Sequence, residues 1–152
     1  MSYRDKPFSQ RLNTMGDLSE AHFESIAPLG KAVRYGWNRP SVTMTKMAET
    51  IRHTPDYYAQ IGYLVECAGL GRDGIYKLKV AKHEALKVWN KIQPVMLFLW
   101  NSSTSEWALL DWKSLSKYVA RAKRNGVEAF ENDGNEYYAI PWEWVEGALP
   151  YE

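Results

Sequence analysis

The sequence predicts an α/β domain with a mixed central sheet flanked by helices, and three observations carry that expectation. Hydrophobic spacing alternates between the extended and the helical period, Val95 to Trp100 is an uninterrupted apolar run of the kind that fills a central strand, and turn residues punctuate the segments at short intervals. A chain of 152 residues, 45% of them apolar, suits one core, so a single domain spanning 1–152 is expected.

The first dozen residues are polar and read as an N-terminal arm reaching to about Met15. From Asp17 to Leu29 the residues Leu18, Phe23, Ile26 and Leu29 fall on one side of a helix that ends near Gly30, with Asp17 and Ser19 as N-cap candidates. Lys31 to Trp37 and Val42 to Ile51 are rich in β-branched and aromatic residues around the turn Asn38-Arg39-Pro40, which predicts a hairpin. Tyr57-Tyr58 and Tyr63 to Cys67 flank Gln60-Ile61-Gly62 as two more strands, followed by a loop through Gly69, Gly71 and Gly74. The helical period then runs from about Ile75 to Ile92. Val95 to Trp100 is expected to pair with Glu106 to Asp111 across the polar turn Asn101 to Ser105. Lys113 to Asn125 is amphipathic and stops at Gly126, which can adopt a left-handed cap, and a last hairpin turns at Asn132-Asp133-Gly134.

A net charge of +1 excludes nucleic-acid binding through bulk charge, so any such binding must use a local patch. The lone Cys67 excludes an intramolecular disulfide and a cysteine-built metal cage, and it suits a reducing, cytoplasmic compartment. The N-terminus has no apolar stretch, and Val95 to Trp100 is too short to span a bilayer, so a soluble, unprocessed chain without a membrane partner is expected.

Chemistry concentrates in Thr54-Pro55-Asp56, a spacer of nine residues, and Glu66-Cys67-Ala68 at the end of an apolar strand. Side chains alternate along a strand, so Glu66 and position 68 share a face where Asp56 can join them from the neighbouring strand. Two carboxylates in that arrangement are natural ligands for a hard cation, which neutralises a phosphate and activates water.

The pattern Pro-Asp, spacer, acid-x-Lys resembles the PD-(D/E)xK nuclease superfamily, and the likeness covers about Asp17 to Trp100. It implies a restriction-endonuclease-like core, with 101–152 as a C-terminal elaboration, and a metal-dependent DNA endonuclease activity. It further implies Mg²⁺ or Mn²⁺ held by Asp56, Glu66 and the backbone carbonyl of Cys67. Small one-domain members include Holliday-junction resolvases, phage endonucleases and restriction-type enzymes, many of them homodimers. A phage-like or junction-resolving enzyme is therefore the favoured kind, and a phage-encoded one would work in the host cytoplasm.

Ala68 departs from the family, which places a catalytic lysine there. Either the lysine has been replaced and the chain is silenced, the explanation the strand itself favours, or it has migrated. Lys82 is the candidate for migration, because it lies within the apolar arc of the helix that contains Ile75, Leu78, Ala81, Ala85, Leu86, Val88, Trp89 and Ile92. The resemblance also implies a glutamate on the first helix facing the metal, and Glu20 borders the apolar side there more closely than Glu24. His22 and His53 carry less weight as isolated histidines.

For DNA itself, Lys113, Lys117, Arg121 and Arg124 sit at offsets of zero, four, eight and eleven and form one basic stripe. Two rival readings keep the fold and drop the chemistry. One is a non-catalytic nucleic-acid binder, and the other a protein-interaction module using the aromatic segment Tyr137 to Trp142.

Overall fold

The computed structural model describes residues 18–36 and 48–145. The expected arm at 1–15, the N-cap candidate Asp17 and the turn Asn38-Arg39-Pro40 lie outside the described residues. Helix α1 covers 18–26. Strand β1 (Ala32–Arg34), helix α2 (Glu49–Arg52), β2 (Tyr57–Ala59), β3 (Leu64–Leu70), β4 (Ile75–Lys79) and α3 (Val80–Ile92) follow. The chain continues with β5 (Val95–Asn101), β6 (Glu106–Leu110), α4 (Trp112–Asn125), β7 (Glu128–Ala129), β8 (Glu136–Pro141) and α5 (Trp142–Val145).

A five-stranded mixed sheet in the order β1-β2-β3-β5-β6 forms the centre, and β4-β8-β7 form a separate antiparallel sheet. β3 and β5 are parallel, with Leu64 opposite Val95 and Leu70 opposite Asn101, while the remaining neighbours in both sheets are antiparallel. Every residue of β5 is buried, as its unbroken apolar run predicts. On one face of the large sheet α1 packs through Phe23 against Tyr57, Val65, Cys67, Met96 and Phe98. On the other, Leu86 of α3 covers Leu64 and Val95, and α4 and the small sheet close over Leu70, Leu97 and Leu99. Phe98 is fully enclosed between Phe23 and Trp107. Phe98→Ala is expected to cost about 3–5 kcal/mol of unfolding free energy, measured as a lowered urea midpoint at unchanged slope.

Several elements depart from expectation for local reasons. α1 stops at residue 26 rather than near Gly30, because Pro28 disfavours the helical conformation at Ala27, which takes φ 48° instead. Ser19 is inside that helix and buried, so it is no N-cap, and Leu18 is 46% exposed and lies off the apolar side. Of the hairpin expected between Lys31 to Trp37 and Val42 to Ile51, residues 37–47 lie outside the described residues. β1 pairs with β2, Arg34 opposite Tyr57, and Glu49–Arg52 is helical. Gly69 belongs to β3 rather than to a loop. Ile75–Lys79 is a strand rather than the start of the long helix, because Tyr76 and Leu78 alternate with Lys77 and Lys79 and β8 supplies the partner. Gly126 ends α4 with φ 105° and ψ 132°, a positive-φ extended conformation rather than the left-handed helical one.

Candidate functional site

The site lies where β2 leaves β3. Their ladder pairs Tyr57 with Val65 and Tyr58 with Leu64. One residue further, the Asp56 carboxylate takes the place of a strand: Cys67 N–H donates to Asp56 Oδ2 at 2.9 Å. Asp56 is held from behind by the chain following β1, since Tyr35 N and Gly36 N donate to its carbonyl at 2.9 and 3.3 Å. Gly36 is required there, because a Cβ would meet the Thr54 and Pro55 carbonyl oxygens at 2.6 and 2.5 Å.

Glu66 is buried on the α3 side of the strand, and Lys82 Nζ, from the first turn of α3, donates to its Oε1 at 2.8 Å. Ala68 points to the same side and packs, half-buried, against the cluster around Leu70 and Tyr76. The buried side of α3 runs through His83, Ala85 and Leu86 rather than along Ala81, Val88 and Ile92, which are exposed. That rotation aims Lys82 inward.

Burial raises the pKa of Asp56 well above the ordinary carboxylate range, and the Glu66 charge raises it further, against the opposing pull of Lys82 and the Cys67 bond. Glu66 is the principal cause that holds Lys82 above its usual value, and this outweighs the effect of burial. Lys82 is therefore a fixed ammonium and no proton acceptor at neutral pH. Burial, followed by the charges of Asp56 and Glu66, pushes the Cys67 thiol up, so it is not a thiolate.

Glu20, from α1, reaches this neighbourhood but is gripped by Arg34, with Nη2 to Oε1 at 3.2 Å and Nη1 to Oε2 at 3.0 Å. Glu24 instead accepts the Tyr57 hydroxyl at 2.6 Å and ties α1 to β2. His53, ending α2, is pushed down to about 4 by burial and then by the Lys82 charge. Its 2.9 Å contact with Glu49 is thus a hydrogen bond donated by a neutral imidazole. His22 stacks on Trp100 with ring centres 3.6 Å apart, away from the carboxylates in role.

Asp56, Glu66, Lys82 and the Cys67 backbone are brought together from three elements, and Glu20 comes near. Arg34 was signalled by no motif, since its nearness to Asp56 depends on β1 pairing with β2. Among the described residues no three Asp, Glu, His or Cys side chains converge as a ready-made metal cage. Two oxygens, Asp56 Oδ1 and Glu66 Oε2, accept no hydrogen bond from the described residues. Carboxylate oxygens left without a donor suit Mg²⁺ or Mn²⁺, which keep much of their water and need only one or two carboxylates.

Lys113, Lys117, Arg121 and Arg124 are all exposed on α4, and the Arg121 guanidinium lies 4.2 Å from the centre of the Trp144 ring. The aromatic segment Tyr137 to Trp142 is largely built into the small sheet, with Tyr137, Tyr138, Ile140 and Trp142 buried, so these side chains are withdrawn from the surface. Among the described residues no helix is long and apolar enough to cross a membrane. Comparison with protein-family models, curated proteins and solved structures finds no match to this chain.

Proposed function

We propose that the chain is a Mg²⁺- or Mn²⁺-dependent deoxyribonuclease with a restriction-endonuclease-like core, in which Lys82 takes the part of the lysine absent at Ala68. The observation that carries this is the 2.8 Å contact between Lys82 and Glu66, next to an Asp56 fixed by the Cys67 N–H. Residues 56, 66 and 82 are distant in sequence, and β3 with the first turn of α3 brings them into one neighbourhood. The order of elements, acidic helix, Pro-Asp, a strand carrying Glu66, a further strand, helix and a strand parallel to the first, adds support.

In this scheme Asp56 and Glu66 hold the cation, and the Cys67 carbonyl completes the protein's share. A cation so held supplies charge neutralisation for the scissile phosphate and makes a nearby water easier to deprotonate. Lys82, permanently charged, orients Glu66 and offers its ammonium to the negative charge that develops in the transition state. The α4 stripe supplies phosphate contacts that position the duplex without reading its sequence.

A cleavage panel of linear, single-stranded and four-way DNA with Mg²⁺ or Mn²⁺ tests the proposal. Metal-dependent cleavage of at least one substrate, lost on chelation, is expected. No cleavage of any substrate, together with unchanged divalent affinity in Asp56→Asn, would overturn it. In the same assay, replacing Lys113, Lys117, Arg121 and Arg124 with glutamine should flatten the dependence of log affinity on log salt by up to about 0.9 per residue. An unchanged slope would remove α4 from the DNA surface.

A further inference from the structure

Two tyrosines stand exposed beside the candidate site. Along β1 the side chains alternate: Arg34 turns to α1, where it meets Glu20 at 3.0 Å, and Val33 and Tyr35 turn to the opposite side of the sheet. There the Tyr35 ring lies edge-on to Trp89 of α3, with centres 5.9 Å apart, and 6.4 Å from the ring of Tyr58 in β2. Trp89 is fixed by its Nε1–H, which donates to the Thr50 carbonyl at 2.7 Å. Tyr57, between Asp56 and Tyr58, is by contrast buried, with its hydroxyl held by Glu24. Tyr35 is 49% exposed and Tyr58 39%, and Val33, opposite Tyr58 in the ladder, is 64% exposed. Lys31, two residues before Val33, is exposed as well.

This row is tied to the carboxylates through the backbone. Tyr35 N–H donates to the Asp56 carbonyl at 2.9 Å, and Tyr58 follows Asp56 by two residues. Glu66 turns to the same side of the sheet, where Lys82 of α3 meets it at 2.8 Å. A strand whose phosphate sits at Asp56 and Glu66 therefore brings its attached sugar and base towards the two rings. Aromatic rings bind a base through its flat face. In a duplex both faces of a base are covered by its neighbours, so the rings have nothing to stack on until a nucleotide leaves the stack. The ammonium of exposed Lys31 suits the phosphates of such a strand, and residues 31, 33, 35 and 58 include no carboxylate to oppose it.

We infer that Tyr35 and Tyr58 form a stacking platform for an unpaired base next to the scissile phosphate, which makes the substrate DNA that is single-stranded at the cut. This rests on the nuclease proposal in one respect, that a phosphate is held at Asp56 and Glu66. It adds a binding surface and a substrate class that the carboxylates by themselves do not specify.

Binding of a labelled oligothymidylate and of a duplex of the same length, followed by fluorescence anisotropy with Ca²⁺ in place of Mg²⁺, tests this without reference to cleavage. The full chain is expected to bind the single strand more tightly than the duplex. Tyr35→Ala and Tyr58→Ala should each weaken single-strand binding by roughly 5- to 150-fold, the loss that removal of one stacking ring brings, with duplex affinity unchanged. Tyr35→Phe and Tyr58→Phe keep the ring and should bind as the parent does. Undiminished single-strand binding in both folded alanine variants would overturn the inference, while the nuclease proposal would stand or fall separately on the cleavage panel. Equal loss of single-strand and duplex binding would overturn it too, since stacking on an unpaired base affects only the first. If Tyr35→Ala does not fold because Trp89 loses its neighbour, Tyr58→Ala decides alone. A dimer that dissociates in Tyr58→Ala while single-strand binding persists would give the rings to a second copy of the chain instead. No single-strand binding by the parent would end the inference outright.

Discussion

Lys82→Ala is expected to lower metal-dependent DNA cleavage by about 10²–10³-fold, the usual consequence of withdrawing one preorganised charge stabiliser, while divalent affinity rises. The two effects go in opposite directions for one reason. Without the ammonium, buried Glu66 faces Asp56 without the cation that now contacts it, so the metal-free site attracts a cation more strongly and the transition state has lost its helper. Removing one partner of a fully buried pair costs about 3–5 kcal/mol, and less is expected here because the Lys82 side chain is 30% exposed. Calorimetry beside single-turnover cleavage separates a catalytic loss from a folding loss. Position 68 shares the strand face of Glu66, so Ala68→Lys added to Lys82→Ala should restore part of the rate, and Ala68→Lys alone should add little. If Ala68→Lys alone raises cleavage by orders of magnitude and Lys82→Ala changes nothing, Ala68 is a silencing substitution and Lys82 only a counterion.

Much of this arrangement was legible in the sequence because strands and helices announce themselves when one face is buried. β5 and the Asn101 to Ser105 turn follow directly from apolar continuity and polar interruption, and α4 from its period, with Asp111 accepting the Ser114 N–H at 2.7 Å as its N-cap. Ile75 to Lys79 misled for the opposite reason. Ile75 and Leu78 satisfy a helical spacing, and Tyr76 and Leu78 satisfy an alternating one, so only the presence of β8, some sixty residues on, decides between them. The small sheet as a whole is a non-local construction of this kind.

The site divides along the same line. Asp56 and Glu66 were legible as candidates because the pattern sets one just before β2 and the other within β3, and the shared face of Glu66 and Ala68 follows from the pleat alone. Lys82 was legible only as an anomaly, a lysine inside an apolar arc. Its distance from Glu66 depends on where the helix begins, and the sequence pattern placed that start five residues too early. Arg34 was hidden because the pairing of β1 with β2, which delivers it to Glu20, was not foreseen.

Asp56→Asn should abolish high-affinity divalent binding and at the same time make the metal-free protein more stable near neutral pH. The first effect should exceed the roughly 10–100-fold loss that follows removal of a mere supporting partner in a metal site, since a charged ligand itself is withdrawn. The second follows from the raised pKa of Asp56, whose causes are burial and then Glu66. A carboxyl with its pKa raised on folding binds its proton more tightly in the folded chain, so the metal-free protein gains stability as pH falls through that raised value and loses it above. Asparagine imitates the protonated form. Its carbonyl oxygen can still accept the Cys67 N–H now taken by Oδ2, and its amide brings no charge beside Glu66. The pH dependence of stability between the ordinary aspartate range and the raised value should therefore flatten in the variant. Metal competes with the same proton, so divalent affinity of the parent should weaken as pH falls through the raised pKa, whereas thermal shifts on adding Mn²⁺ should be absent from Asp56→Asn at every pH. A variant that is destabilised throughout, yet still shifts upward with Mn²⁺ as the parent does, would place Asp56 in the scaffold and the cation elsewhere.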